Sequence, residues 1–229
     1  MKTKNKTIIF CGIKTEIIKS RRSTISLSLN SNGTATLKAP LFVSYNVISD
    51  FLNSRKKWLL TKTEAILSNT EKYALKNNGL LLLYGNEISL KTSQSKVYFN
   101  CKENSLYVPF LSLNAKDKVI DFYKNELKNY ILPKAEFFAE KMNLNLKNIT
   151  VTKAKTRWGS CSATNNISFS FRLLMCKKEV IDYVLIHELC HFLHKDHSRN
   201  FWQEVEKYNP NFKQNREWLK AHFYIMDIL

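Results

Sequence analysis

Residues 181–202 read IDYVLIHELCHFLHKDHSRNFW, with His187-Glu188-Leu189-Cys190-His191 at the centre. On an α-helix, side chains four residues apart leave the same face one turn above the other, so both imidazoles reach one ion. Glu188, one residue beyond the first histidine, brings a carboxylate beside that ion without binding it. A zinc hydrolase requires this spacing: two nitrogen ligands and a general base next to the water to be activated. A catalytic zinc takes three protein ligands and keeps a fourth position for water. His197, six residues after His191, is the first candidate for the third, with Lys195-Asp196 turning the chain back. Glu204 and Glu206, on the helix that follows, are its rivals. Val180, Tyr183, Val184 and Ile186 supply the apolar residues that bury the motif helix.

Short motifs of this kind also arise by chance, and the surroundings decide the matter. Four of the five histidines (His187, His191, His194 and His197) fall within eleven residues. A structural zinc site closes its fourth position with cysteine or histidine. Cys190, adjacent to His191, points off the ligand face and is a poor candidate for that. The pattern predicts one catalytic Zn2+ per chain.

Composition bounds the class. A chain of 229 residues, 44% apolar and with fourteen phenylalanines and ten tyrosines, is globular and long enough for one large domain or two small ones. Five glycines and four prolines leave little room for a flexible linker. Cys11, Cys101, Cys161, Cys176 and Cys190 are scattered, odd in number and without CxxC spacing, which fits a reducing, cytoplasmic setting. No apolar run reaches the ~18 residues of a membrane span. The apolar patch Ile8–Ile13 is too short for a signal peptide and reads as a first strand. The net charge of +17 invites polyanions such as nucleic acid or an anionic membrane. No stretch interleaves arginine with aromatics as base-stacking grooves do, however. Nucleic acid is therefore possible but not favoured as a partner and no membrane is expected; a peptide or protein substrate is the partner that the hydrolase motif suggests. Oligomeric state is not legible.

The chain as a whole reads as α+β. Short strands are expected at 7–13 and 16–18, and Ile25, Leu27 and Leu29 alternate onto one face. Ser31-Asn32-Gly33 is a hairpin signal before Thr34–Lys38. A helical pattern follows from Tyr45 to about Thr70. Strands are expected at Leu80–Tyr84, Glu87–Leu90, Lys96–Cys101 and Ser105–Val108. Residues 1–112 thus form a β-rich region with one amphipathic helix and no histidine. Residues 113–229 carry a long helix over 115–142, kinked or divided by Pro133, strands within 149–171, and the metal helix at about 178–194. Ser198 caps a helix through Tyr208, and Phe212–Phe223, with Arg216 and Trp218, forms a last amphipathic segment.

Between the long helix and the metal helix lies Thr156-Arg157-Trp158-Gly159-Ser160-Cys161-Ser162. No histidine stands near it in sequence to activate Cys161 as a nucleophile. A strand beside the catalytic helix is the simpler reading, with Gly159 permitting close backbone approach and one edge free for an extended peptide.

TRWGSCS, the strand ISFSFRLL, the stretch VIDYVLIHELCHFLHKDHSRNFW, and YNPNF with RxWLK together resemble the YgjP-like metallopeptidase family. These are zincin-type metal-dependent hydrolases related to SprT-like and WLM proteases. The resemblance spans roughly Arg21 to Lys220 and is most specific from Arg157 to Trp218. It implies a zincin-like catalytic region, with His187, His191 and His197 as metal ligands and Glu188 as acid/base. It also picks out Arg157–Cys161 as a signature of unassigned chemistry. Lys177-Lys178 departs from the family, which often has proline before the helix. A zinc peptidase also needs a donor for the carbonyl oxygen, for which Tyr208, Arg157 and His194 are the candidates. His194 alternatively braces the site from behind or faces solvent. The relationship to SprT-like proteins and the positive charge motivate two alternatives, a DNA-associated protease and a nucleic-acid-binding protein. A zinc hydrolase of non-peptide amides is a further one.

Overall fold

Two tight turns set the scaffold. Cys11-Gly12 and Tyr84-Gly85 both take positive φ, 51° and 80° in each pair, the combination a two-residue type I′ hairpin demands. The structure, a computed structural model, describes residues 4–30 and 33–229. Ser31 and Asn32 of the expected hairpin turn lie outside the described residues. The chain forms two compact units, Met1–Lys72 and Tyr73–Leu229.

In the first unit, β1 (Lys4–Phe10) and β2 (Ile13–Ser20) form one longer hairpin around Cys11-Gly12, where two shorter strands were expected. β3 (Ser26–Leu29) and β4 (Ala35–Pro40) complete a sheet of order β1-β2-β4-β3. Two helices follow, α1 (Tyr45–Ser54) and α2 (Lys56–Lys72), separated at Arg55, where the sequence suggested one. Ser44 caps α1 by accepting from the Val47 N–H. Ile17, Leu37, Ala39, Ile48 and Leu52 form the core between sheet and helix.

The second unit begins with the same arrangement. β5 (Leu80–Leu83), β6 (Asn86–Thr92), β7 (Tyr98–Asn100) and β8 (Ser105–Val108) form a sheet of order β5-β6-β8-β7. The pairings match those of the first sheet strand for strand: antiparallel, parallel, antiparallel. Here the hairpin tip is docked. The Tyr84 and Gly85 N–H groups donate to the Leu174 and Met175 carbonyls at 2.8 and 3.1 Å.

α3 (Ala115–Lys141) buries Val119, Tyr123, Leu127, Ile131, Ala135 and Ala139, a series at four-residue spacing, in a core shared with this sheet and with the helix and turn that follow. Tyr123 donates from its hydroxyl to the Leu82 carbonyl at 2.7 Å. Pro133 lies inside α3 without dividing it. Buried residues on either side hold the helix through the one backbone bond that proline cannot make. β9 (Asn148–Thr152), β10 (Gly159–Cys161) and β11 (Asn166–Ser170) form a third sheet of order β10-β11-β9. A buried 3-10 turn, Phe171–Met175, leads to α4 (Lys178–Cys190), then α5 (Arg199–Tyr208) and α6 (Phe212–Ala221).

The boundary between units falls at Lys72/Tyr73, where the sequence had placed one at 112/113. The physical reason is a shared core: Leu81, Leu83, Ile88, Leu106 and Val108 of the second sheet join α3 and α4 in one buried cluster. Among the described residues no helix is long and apolar enough to cross a membrane.

The two turns make a matched test. Alanine at either glycine meets the left-handed strain of ~1–2 kcal/mol. At Gly12 an added Cβ meets nothing within 4 Å, whereas at Gly85 it lies 2.6 Å from Lys177 Cγ and 3.2 Å from Lys177 Cα. Gly85→Ala is expected to cost about 1–3 kcal/mol more than Gly12→Ala in urea unfolding. Equal losses would show that the second tip is not docked.

Candidate metal centre

α4 is apolar nearly all round. Val180, Ile181, Val184, Leu185, Ile186, Leu189 and Cys190 are buried, as befits a helix enclosed by its own unit. Its one acidic anchor is Asp182, which accepts from Lys134 Nζ at 2.6 and 2.8 Å and from the Tyr130 hydroxyl at 3.0 Å, both on α3. The helix stops at Cys190, short of the expected 194. His191 is its C-cap and keeps helical geometry (φ −68°), so it stays in register above His187, with ring centres 5.0 Å apart. The His194 N–H then donates to the Cys190 carbonyl at 2.9 Å, and the chain turns back to His197.

The ring nitrogens of His187, His191 and His197 lie within 4.8 Å of one another. His197 Nε2 is 3.1 Å from His187 Nε2. Nitrogens bound at ~2.1 Å to one tetrahedral ion sit roughly 3.4 Å apart, so the cluster matches a single cation. Phe201 lies beneath all three imidazoles at 4.9, 4.7 and 4.8 Å between ring centres. His191 Nδ1 donates to the His194 carbonyl at 3.0 Å, which fixes its tautomer and leaves Nε2 a lone pair for the cluster. Burial, with the neighbouring imidazoles and Arg216 adding to it, pushes the His187 pKa down to about 3. The same causes lower that of His197. Both are thereby held in the neutral form that accepts a cation.

Glu188 is 5% exposed. Burial raises its pKa to about 8, against the opposing pull of the Arg157 charge and a hydrogen bond from the Cys161 backbone N–H. Its Oε2 is buried without a hydrogen-bond partner. β10 passes so close that a Cβ on Gly159 would lie 2.7 Å from Glu188 Oε1 and 2.8 Å from Cγ. The glycine in the Arg157–Cys161 signature therefore makes room for the carboxylate, and the cysteine supplies its backbone. On the other side, Ser162 N–H donates to the Asn166 carbonyl and Ser170 N–H to the Trp158 carbonyl. By the alternation of an antiparallel ladder, Gly159 and Cys161 turn their backbone groups to the outer edge.

The remaining candidates separate. Arg157 is exposed, and its charge reaches Glu188. His194 contributes its carbonyl rather than its ring. Trp158 packs edge-on against Phe223. Tyr208 lies away from the cluster, its ring against Phe138 and its hydroxyl toward the Lys141 carbonyl at 3.5 Å. Glu204 pairs with Lys207 and Glu206 with Lys213, so neither joins the imidazoles. Burial raises the Cys161 thiol pKa, which disfavours the nucleophilic thiolate. Two residues beside the cluster were missed in the sequence. Tyr183, read as core, stands one turn before His187 on the same face, a signal its spacing carries. Arg216, from α6, carries no local signal.

A family model described as YgjP-like, metallopeptidase domain, matches residues 23–222. A search of curated proteins returns no match. Among solved structures, the crystal structure of the metallopeptidase zymogen of Pyrococcus abyssi abylysin aligns with a TM-score of 0.33 and 21% identity. That alignment covers 45% of this chain and 93% of that chain.

Glu188 should be legible in stability. A carboxyl whose folded pKa is near 8, against 4.5 for the ordinary group, destabilises the fold when ionised. That penalty is absent below about pH 4.5 and grows as pH rises toward 8. In metal-free protein, Glu188→Gln should raise the melting temperature at pH 8 and leave it unchanged at pH 4. An equal shift at both pH values would refute the buried-carboxylate picture.

Proposed function

Since the chain belongs to the YgjP-like metallopeptidase family, we propose that it hydrolyses peptide bonds with one zinc ion held by His187, His191 and His197. The observation that carries this reading is a buried carboxylate adjacent to His187 on α4, beside three converging imidazoles of which His197 comes from the following loop. Three neutral nitrogen donors suit zinc. Bound there, zinc supplies Lewis acidity, which brings the pKa of water from about 16 toward about 7 and polarises a carbonyl.

Glu188 is the general base: it takes the proton of the attacking water and returns it to the leaving amine. The burial that raises its proton affinity favours this exchange. Cys161 N–H and the absent side chain of Gly159 keep the carboxylate in place. The outer edge of β10, apart from the Cys161 N–H that Glu188 takes, offers its backbone groups to an extended peptide or protein substrate, as in strand addition. Arg157 is the surviving donor candidate for the substrate oxygen.

In Glu188→Gln, zinc should stay near one per chain by metal analysis while hydrolysis of an unstructured polypeptide collapses. Hydrolysis at the wild-type rate would end the general-base assignment. Gly159→Ala, which displaces the carboxylate without touching an imidazole, should keep the zinc and lose roughly 100-fold in rate.

A further inference from the structure

Beside the imidazoles lies a cavity of about 430 Å3 lined by Tyr183, His187, His197, Trp202 and Arg216. Glu188 is not among the lining residues, although its charge reaches Tyr183. The Arg216 guanidinium sits 4.8 Å over the Trp202 ring. Trp202 is itself fixed, stacked on Phe212 at 5.4 Å and on His197 at 5.7 Å. The arginine is thus held against an aromatic plane that also abuts one of the three imidazoles. Among the described residues no carboxylate pairs with Arg216. Tyr183, 4% exposed and 5.8 Å from His187 between ring centres, completes the wall.

A lone guanidinium beside a centre built to hold a divalent cation is electrostatically unfavourable until an anion arrives. The planar fork of arginine matches a carboxylate through two parallel hydrogen bonds, and a phenol can donate a third. The cavity borders two of the three imidazoles, so an anion in it is held within about one residue of the bond to be cut. Resting on the peptidase reading above, we propose that Arg216 and Tyr183 form a subsite for a substrate carboxylate next to the scissile bond. That carboxylate is either the chain terminus, which makes the enzyme trim from the C-terminal end, or an aspartate or glutamate side chain.

Binding to zinc-loaded Glu188→Gln protein tests this without turnover. Three probes are compared by calorimetry: acetyl-Phe-Ala with a free terminus, acetyl-Phe-Ala-amide, and acetyl-Phe-Asp-amide. One or both carboxylate probes should bind at least roughly tenfold tighter than acetyl-Phe-Ala-amide. Preference for the first marks the chain terminus, and preference for the third marks the side chain. Adding Arg216→Gln should abolish the preference with zinc content unchanged, Arg216→Lys should restore part of it, and Tyr183→Phe should weaken it. Equal binding of all three probes, or a preference that survives Arg216→Gln, overturns the subsite. The peptidase reading stands apart: an Arg216-dependent preference in a protein that cuts no peptide would keep the subsite and remove the peptidase.

Discussion

Taking a carboxylate out of water is costly unless something replaces its hydration, and the placement of Glu188 makes that demand on its whole unit. The replacement is a backbone N–H from Cys161 and a charge from Arg157. Both sit on the segment that carries β10, so β10 must run against α4 at a distance only glycine tolerates. β10 in turn is held by β11, and β11 by its parallel pairing with β9. The third sheet therefore serves the helix it flanks.

A second buried polar group secures the approach to that sheet. Arg172, 1% exposed, donates from Nε to the Ile228 carbonyl at 2.9 Å and from Nη1 to the Lys153 and Ala154 carbonyls at 3.3 and 3.4 Å. One guanidinium thus ties the chain's last residues to the segment that leaves β9 toward Arg157. Backbone oxygens meet Nε and Nη1, and the charge of Asp227 favours the ionised form, which is how a guanidinium survives in a core. The neighbouring Ser170 hydroxyl joins the same Ala154 carbonyl at 2.7 Å.

What could be read from the sequence was whatever rests on local spacing. His187 and His191 are one helical turn apart, and His197 follows through a short loop, so the cluster was visible before any coordinate. Gly159 was legible as a close approach, though what approaches it was not. Tyr183 was read as core and is buried there, but its second position, on the wall beside His187, was not read. Arg216 lies nineteen residues beyond His197 and reaches the cavity only through the packing of α5 and α6. The continuity of α3 through Pro133 depends on tertiary burial on both sides, which outweighs the local breaking tendency. The boundary between compact units was not legible for a related reason. Strand composition does not tell which helix a sheet will pack against, and β5–β8 share their core with α3 and α4.

Two sheets with one strand order in a single chain create a problem of recognition during folding. Each nascent hairpin meets two acceptor strands of the same topology, the circumstance in which repeated units exchange elements. The two sheets are kept apart by their amphipathic signatures. β5 is four consecutive leucines, three of them buried, while β1 carries Lys4 and Lys6 and leaves Ile9 78% exposed. Exchange of the two would leave the buried leucines of β5 in water and place the Ile8–Phe10 stretch of β1 where they pack. Composition thus addresses each hairpin to its own partner where geometry alone cannot.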